Sequence, residues 1–238
     1  MLKCKWYNQI VIENTSQKII KMEALKMNYN ELYQSLNSAV NYFTCEVSFS
    51  EVIKLLDTLK EKAINESAKE AGDSVRLKYA KKVLATNKKT LRQVLTKAII
   101  RNEMQVFTDS YIGFRLSNHI TGLETHEDEN IVNNYPLLEK IIQRLLDDAR
   151  FEMTLNILEL KNKLAIIDKD GHIDFDLSDI EKVRFQKKNL ETFIYTLGYT
   201  KNTDNITLKY KHGISAFYAV ENNGSGDGII LPIRIDEE

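Results

Sequence analysis

The sequence predicts an α+β fold in which antiparallel sheet is built from repeated units, with helices packed on one face. Three observations predict it. Ile206, Leu208 and Tyr210 alternate with Thr207 and Lys209, the period-two signature of a half-buried strand. The flanking clusters, Lys211-His212-Gly213 and the run from Asn222 to Gly228, carry the Gly, Asn and Asp residues that reverse hairpins. A strand followed by a helix recurs about 100 residues apart, at Cys45–Phe49 leading into Ser50–Leu56 and at Phe151–Leu155 leading into Asn156–Leu164.

Taken in order, Gln9 to Ile12 read as a strand, Asn14-Thr15-Ser16 as a turn, and Lys18 to Met27 as a second strand. Tyr29, Leu32, Tyr33 and Leu36 then give the i, i+4 stripes of a helix. After the strand Cys45–Phe49, Ser50 is placed to cap a helix whose apolar positions are Val52, Leu55, Leu56 and Leu59, extended by Ala63. Asn65 to Ser74 reads as a loop or frayed end, helix resumes over Val75, Tyr79 and Val83, and Ala85 to Lys88 breaks it. From Leu95 the β-branched content favours a hairpin turning at Asn102-Glu103 over a continued helix. Thr108-Asp109-Ser110 turns the chain into a third strand, Ile112 to Leu116. An acidic loop, Gly122 to Asn130, precedes Pro136, which opens a helix with Leu138, Ile141, Ile142 and Leu145 as its buried stripe. The last stretch reads as a strand at Val183–Phe185, a helix over Lys187–Tyr199, and strands at Asn205–Tyr210, Ile214–Val220 and Gly228–Ile235.

At 238 residues and 43% hydrophobic content, the chain is long enough for two modest domains, each with its own core. No apolar run approaches the ~20 residues that span a bilayer, and the opening residues lack the apolar core of a signal peptide, so a cytoplasmic protein without membrane partners is expected. Cys4 and Cys45 stand far apart with no CxxC spacing, which argues against a disulfide framework or a zinc ribbon.

Charge is unevenly spread. The net charge is −1, yet Ser74 to Arg101 holds nine basic residues and no acid, so the rest of the chain carries −10. A basic stripe on an acidic body attracts a polyanion to one surface and repels it elsewhere. Arg76, Lys78, Lys81, Lys82, Lys88, Lys89 and Arg92 are therefore the candidate phosphate-binding residues, against the alternative of a solvated helix face.

Two stretches resemble a known family. Residues 92–116, RQVLTKAIIRNEMQVFTDSYIGFRL, are similar to the hairpin and Thr-Asp-Ser-Tyr portion of bacterial and phage sliding clamps of the DNA polymerase III beta subunit type. Residues 183–235, with VRFQKKNLETF, NITLKY and GIILPIRI, resemble the close of a clamp domain, which ends on a similar apolar-Pro-apolar-Arg strand. The chain is short for a three-domain subunit, and Asn65 to Lys89 reads as an inserted helical segment. The resemblance implies a clamp-like fold of two domains, residues 1–130, with the basic insertion near 65–90, and residues 131–238. It implies a non-catalytic processivity factor or docking platform in phage DNA replication, with no cofactor. Its partners would be double-stranded DNA, bound non-specifically through the backbone, and a DNA polymerase or other replication protein. Two-domain subunits would close a six-domain ring as a trimer; a dimer, or a monomer that does not encircle DNA, stays open. Leu231, Pro232 and Ile233 match the strand beside the family's partner-peptide pocket, and packing of a closing strand is their other reading.

Other constellations carry less. Asp168, Asp170, Asp174 and Asp176 suggest a calcium loop, but the positions that need Gly and Glu hold Ile173 and Asp179, and an Asp-Gly turn into a strand accounts for them. His119 and His126 lack the HExxH spacing of a zinc site. Gly224, Gly226 and Gly228 lack the strand-before, helix-after context of a phosphate loop. No nucleophile and base stand out as a catalytic set, so no catalytic and no metal residues are assigned. Two further readings remain: a small interaction or inhibitor protein that binds a host protein, and a DNA-binding regulator using Val75 to Leu84 as a recognition helix.

Overall fold

The computed structural model of the chain describes residues 33–34, 50–89, 92–178, 181–200 and 203–234. Tyr33 and Gln34 are helical, inside the stretch where the sequence predicts a helix. The strands expected at Gln9–Ile12, Lys18–Met27 and Cys45–Phe49 lie outside the described residues. The chain forms two compact units, residues 1–71 and 72–238.

The first unit contributes helix α1, Ser50–Glu70. Its stripe of Leu56, Leu59 and Ala63 is buried, as the 3–4 spacing requires, and Ala68 continues it. The helix therefore runs through Asn65 to Glu70, where a loop is expected. Polar side chains do not end a helix while its ladder and a buried stripe continue. The break is confined to Ala71–Asp73, where Gly72 takes φ +78° at a position that favours glycine.

The second unit begins with α2, Ser74–Lys89. Here too the helix outlasts its expected end, and Asn87 is the reason. Its buried side-chain amide donates to the carbonyls of Leu95 (2.7 Å) and Thr108 (2.8 Å), tying the last turn to the segments that follow. A short 3-10 turn, Gln93–Leu95, leads into strands β1 (Ile99–Arg101), β2 (Met104–Thr108) and β3 (Ile112–Leu116). Asn102 and Glu103 both have positive φ, 51° and 61°, the geometry of a two-residue hairpin turn, so the hairpin reading of this stretch holds. A short helix α3 (Glu129–Asn134) precedes α4 (Leu138–Asp148), β4 (Phe151–Asn156) and α5 (Ile157–Ile166). Strands β5 (His172–Asp176) and β6 (Lys182–Gln186) follow, then α6 (Lys187–Thr196) and strands β7 (Asn205–Tyr210), β8 (Phe217–Val220) and β9 (Gly226–Ile230).

Seven strands make one antiparallel sheet in the order β1-β2-β3-β9-β8-β7-β4, and β5 and β6 form a separate two-stranded ribbon. The large sheet takes strands from both sides of residue 130, where the sequence reading divides the chain into two domains. The joint is β3 against β9, with Phe114 opposite Gly228. A glycine is needed there: a Cβ on Gly228 would stand 3.0 Å from the Gly113 carbonyl oxygen and from the Phe114 and Phe193 rings. Strand β8 starts three residues later than expected because the Ser215 hydroxyl accepts from the amides of Lys211 and His212 and holds them in a turn.

The alternation read at Ile206, Leu208 and Tyr210 is observed, with all three buried. They share a face with Phe114 and Phe217, and α2 and α6 pack on that side, with Phe193 of α6 against Phe114. The opposite face is also covered, which the sequence reading does not anticipate. Leu138, Ile142 and Leu145 of α4 pack there with Ile99, Val106, Tyr218 and Ile229. Ile141, expected in that stripe, is exposed; its position on the helix carries it past the edge of the contact.

Candidate nucleic-acid interface

Helices α2 and α6 lie side by side, and an aromatic stack joins their outer surfaces. Tyr79 of α2 stacks on Tyr195 of α6 with ring centroids 4.6 Å apart and planes 18° apart. The Lys82 ammonium sits 4.0 Å from the Tyr79 centroid and the Lys161 ammonium, from α5, 5.0 Å from that of Tyr195. Each such cation–π contact contributes about 0.5–1 kcal/mol at an exposed site, a modest bias on where two cations stand. Burial, then the Glu191 carboxylate and Tyr195, push the Tyr79 phenol up to about 12. Burial foremost, then Lys78, lowers the Lys82 ammonium, with Glu191 opposing.

The seven basic residues singled out in the sequence divide into three kinds. Lys78, Lys82, Lys88 and Lys89 are exposed on α2 and Lys81 is half-buried. Arg92 is exposed, and its guanidinium donates to the Ser110 hydroxyl and, at 3.4 Å, to the Asp109 carbonyl, bracing the turn between β2 and β3. Arg76 corrects the expectation. It is only 8% exposed, and its guanidinium is committed to the interior: to the Asp73 carboxylate (3.2 Å), the Thr196 and Asn118 carbonyls (3.2 Å each) and the Glu221 carboxylate. A polyanion outside has no access to it.

The structure adds cations that the sequence reading left unassigned. Lys187 and Lys188 open α6, and Lys169 lies in the turn after α5. With Lys82 and Lys89 they line a groove of about 830 Å³ between the C-terminal half of α2, the β2–β3 turn and the start of α6. The adjacent Lys187-Lys188 pair was the available signal, but nothing in the sequence shows that it neighbours Lys82. Asp109 on the groove wall is turned inward. Its carboxylate accepts from the amides of Tyr111 (2.9 Å) and Ile112 (3.0 Å), and burial raises its pKa against those bonds.

Leu231, Pro232 and Ile233 cross from one sheet to the other. The Leu231 amide donates to the Tyr111 carbonyl (2.8 Å) beside β3, and the Ile233 amide to the Arg184 carbonyl (2.7 Å) in β6. Leu231 is 37% and Ile233 39% exposed, with Tyr111 at 58% next to them. These three form an apolar patch, while Pro232 is half-buried. Behind it Arg184 grips Asp174 through two bonds of 2.7 and 2.8 Å, which hold the Asp174 carboxyl below its usual range. Asp174 is thus one half of an ion pair. Among the described residues no three His, Cys, Asp or Glu side chains gather as a metal site, and no helix is long and apolar enough to cross a membrane.

No protein-family model matches the chain, and no curated protein matches it. Among solved structures it is similar to the DNA polymerase III beta clamps. The Helicobacter pylori beta clamp bound to a DNA ligase peptide matches with 12% identity and a TM-score of 0.42 over 60% of this chain and 58% of that one. The same clamp in complex with diflunisal gives 13% and 0.45 over 68% and 64%. A beta subunit from Eubacterium rectale gives 12% and 0.32 over 56% and 41%. The chain thus spans less than two thirds of the length of the clamps it matches.

Proposed function

We propose that this protein is a non-catalytic, clamp-like DNA-associated factor that meets duplex DNA through the lysines of α2 and carries a docking patch for a replication protein at Leu231 and Ile233. The observation that carries the reading is the charge placement on α2. Lys78, Lys81, Lys82, Lys88 and Lys89 lie on the solvent side of a helix whose other side is packed on the sheet, while the chain as a whole is slightly acidic. Lysines are mobile point charges that satisfy phosphates without reading bases, which suits a protein that must remain bound while moving along any sequence. The resemblance of residues 92–116 and 183–235 to clamp segments supports the same reading, and a phage replication system and a ring of three or two copies belong to it.

Titration of a labelled blunt duplex across a salt series, together with mass in solution with and without primed DNA, tests it. Binding should be independent of sequence, with log K falling by about 0.9 per log salt for each phosphate neutralised. A strictly monomeric protein with no affinity for duplex at low salt overturns it.

A further inference from the structure

We infer that the groove between α2, the β2–β3 turn and the start of α6 takes an unpaired strand of DNA, with its phosphates on the converging lysines and a base on Tyr111. The inference rests on the reading that this side of the molecule meets DNA, and adds which form of DNA the groove accepts. Three features carry it.

The first is convergence. Lys82 and Lys89 come from α2, Lys169 from the turn after α5, and Lys187 and Lys188 from α6, and all five line one concavity. Three carboxylates share the wall, but Asp109 is buried and occupied by two backbone amides, so only Asp170 and Glu191 remain to offset five lysines, of which Lys187 is half-buried and donates to the Ile167 carbonyl at 2.7 Å. The charges act on one another: after burial, the largest cause, Lys78 and Lys169 both lower the Lys82 ammonium, with Glu191 opposing, and a bound polyanion offsets the excess of positive charge. The start of α6 adds to the field in the same sense, since no side chain caps its first turn.

The second is shape. At about 830 Å³ the groove is the size of a small-ligand cleft. A duplex presents its phosphates on a convex cylinder too wide to enter, and would reach only the rim. A single strand is narrow enough to lie inside with its phosphates against the lysines.

The third is Tyr111. Its backbone is tied down, by its amide to Asp109 and its carbonyl to the Leu231 amide. The residue is nonetheless 58% exposed, and it is one of those that line the groove. An exposed aromatic residue on a held backbone beside a row of lysines is the arrangement with which proteins hold single strands without sequence preference.

The test compares a blunt duplex with the same duplex carrying a thymidine tail, at low salt, on the full chain and on Tyr111→Ala, Tyr111→Phe and the double variant Lys78→Ala/Lys81→Ala. In the wild type the tail should tighten binding about fivefold or more, the worth of one stacked base. Tyr111→Ala should lose that gain with blunt-duplex affinity unchanged, Tyr111→Phe should keep it, and Lys78→Ala/Lys81→Ala should weaken both probes alike. Equal binding of both probes by the wild type overturns this inference and leaves the duplex reading standing. Binding of neither overturns both. A tail effect that survives Tyr111→Ala, or that polyglutamate of matching charge removes while an oligothymidylate does not, places the strand elsewhere and overturns the assignment. Tyr111 is exposed, so an unchanged melting temperature should confirm that its variants fold.

Discussion

Arg76 and Lys82 belong to the same helix, come from the same basic run and are opposite in what surrounds them. Arg76 stands on the packed side of α2, with Ala80, Val83 and Asn87, and is shared among the Asp73 and Glu221 carboxylates and the carbonyls of Asn118 and Thr196. One guanidinium thus pins α2 to the end of α6, to the loop after β3 and to the β8–β9 hairpin. Lys82 stands on the opposite, solvent side of the same helix and meets only an aromatic ring and the groove. A buried cation is tolerated when it is paired and its donors are hydrogen-bonded, and the rigid fork of Arg76 makes four such bonds in four directions, which a lysine ammonium with three donors does not. The difference teaches that the helix divides its positive charge between holding the fold and presenting a surface, and that burial makes the division.

The comparison breaks most readily at Arg76. Arg76→Ala leaves Glu221 and Asp73 buried without their partner, and should cost about 3–5 kcal/mol; urea denaturation measures it, and a loss under 1 kcal/mol would mean that water, and not Arg76, balances those carboxylates. At the other end, Lys81→Ala and Lys88→Ala should each leave stability within about 0.5 kcal/mol. Each should also lower the salt slope of duplex binding by roughly 1. A large change in unfolding free energy with an unchanged slope would reverse the assignment of these side chains. A further probe is Tyr79, midway along the helix. Its folded pKa of about 12 exceeds the unfolded value of 10.0, so the folded state holds the phenol proton more tightly. That contribution is complete below pH 10 and is lost as pH rises through 12. Thermal melts between pH 9 and about 12 should show a shallower alkaline decline in Tyr79→Phe than in the wild type.

Much of the local structure was legible because it rests on short-range rules. The hairpin over Ile99 to Thr108 follows from β-branched content and a two-residue turn, and β7 from alternation. Helix α5 starts where Asn156 accepts from the Glu159 amide as its N-cap. Helix ends were less legible. Asn65 to Glu70 is polar and Ala85 to Lys88 looks like a stop, yet a buried Ala68 and the two carbonyls held by Asn87 extend both helices. For the candidate site, the lysines of α2 could be read directly, since an exposed cation needs no partner to be identified. Arg76 could not, because its role lies in Glu221, 145 positions away, and neither could the lysines that join Lys82 from α5 and α6.

By itself the sequence determined the elements with a period or a turn signature, the concentration of positive charge between Ser74 and Arg101, and the resemblance of residues 92–116 and 183–235 to clamp segments. All of these depend on residues close together in the chain. Tertiary structure alone decided that β3 pairs with β9, that α4 covers the second face of the sheet, that Arg76 turns inward, and that lysines from three segments meet in one groove. Those outcomes depend on which surfaces pack together, and a charge or a glycine takes its meaning only from the neighbours that packing brings to it.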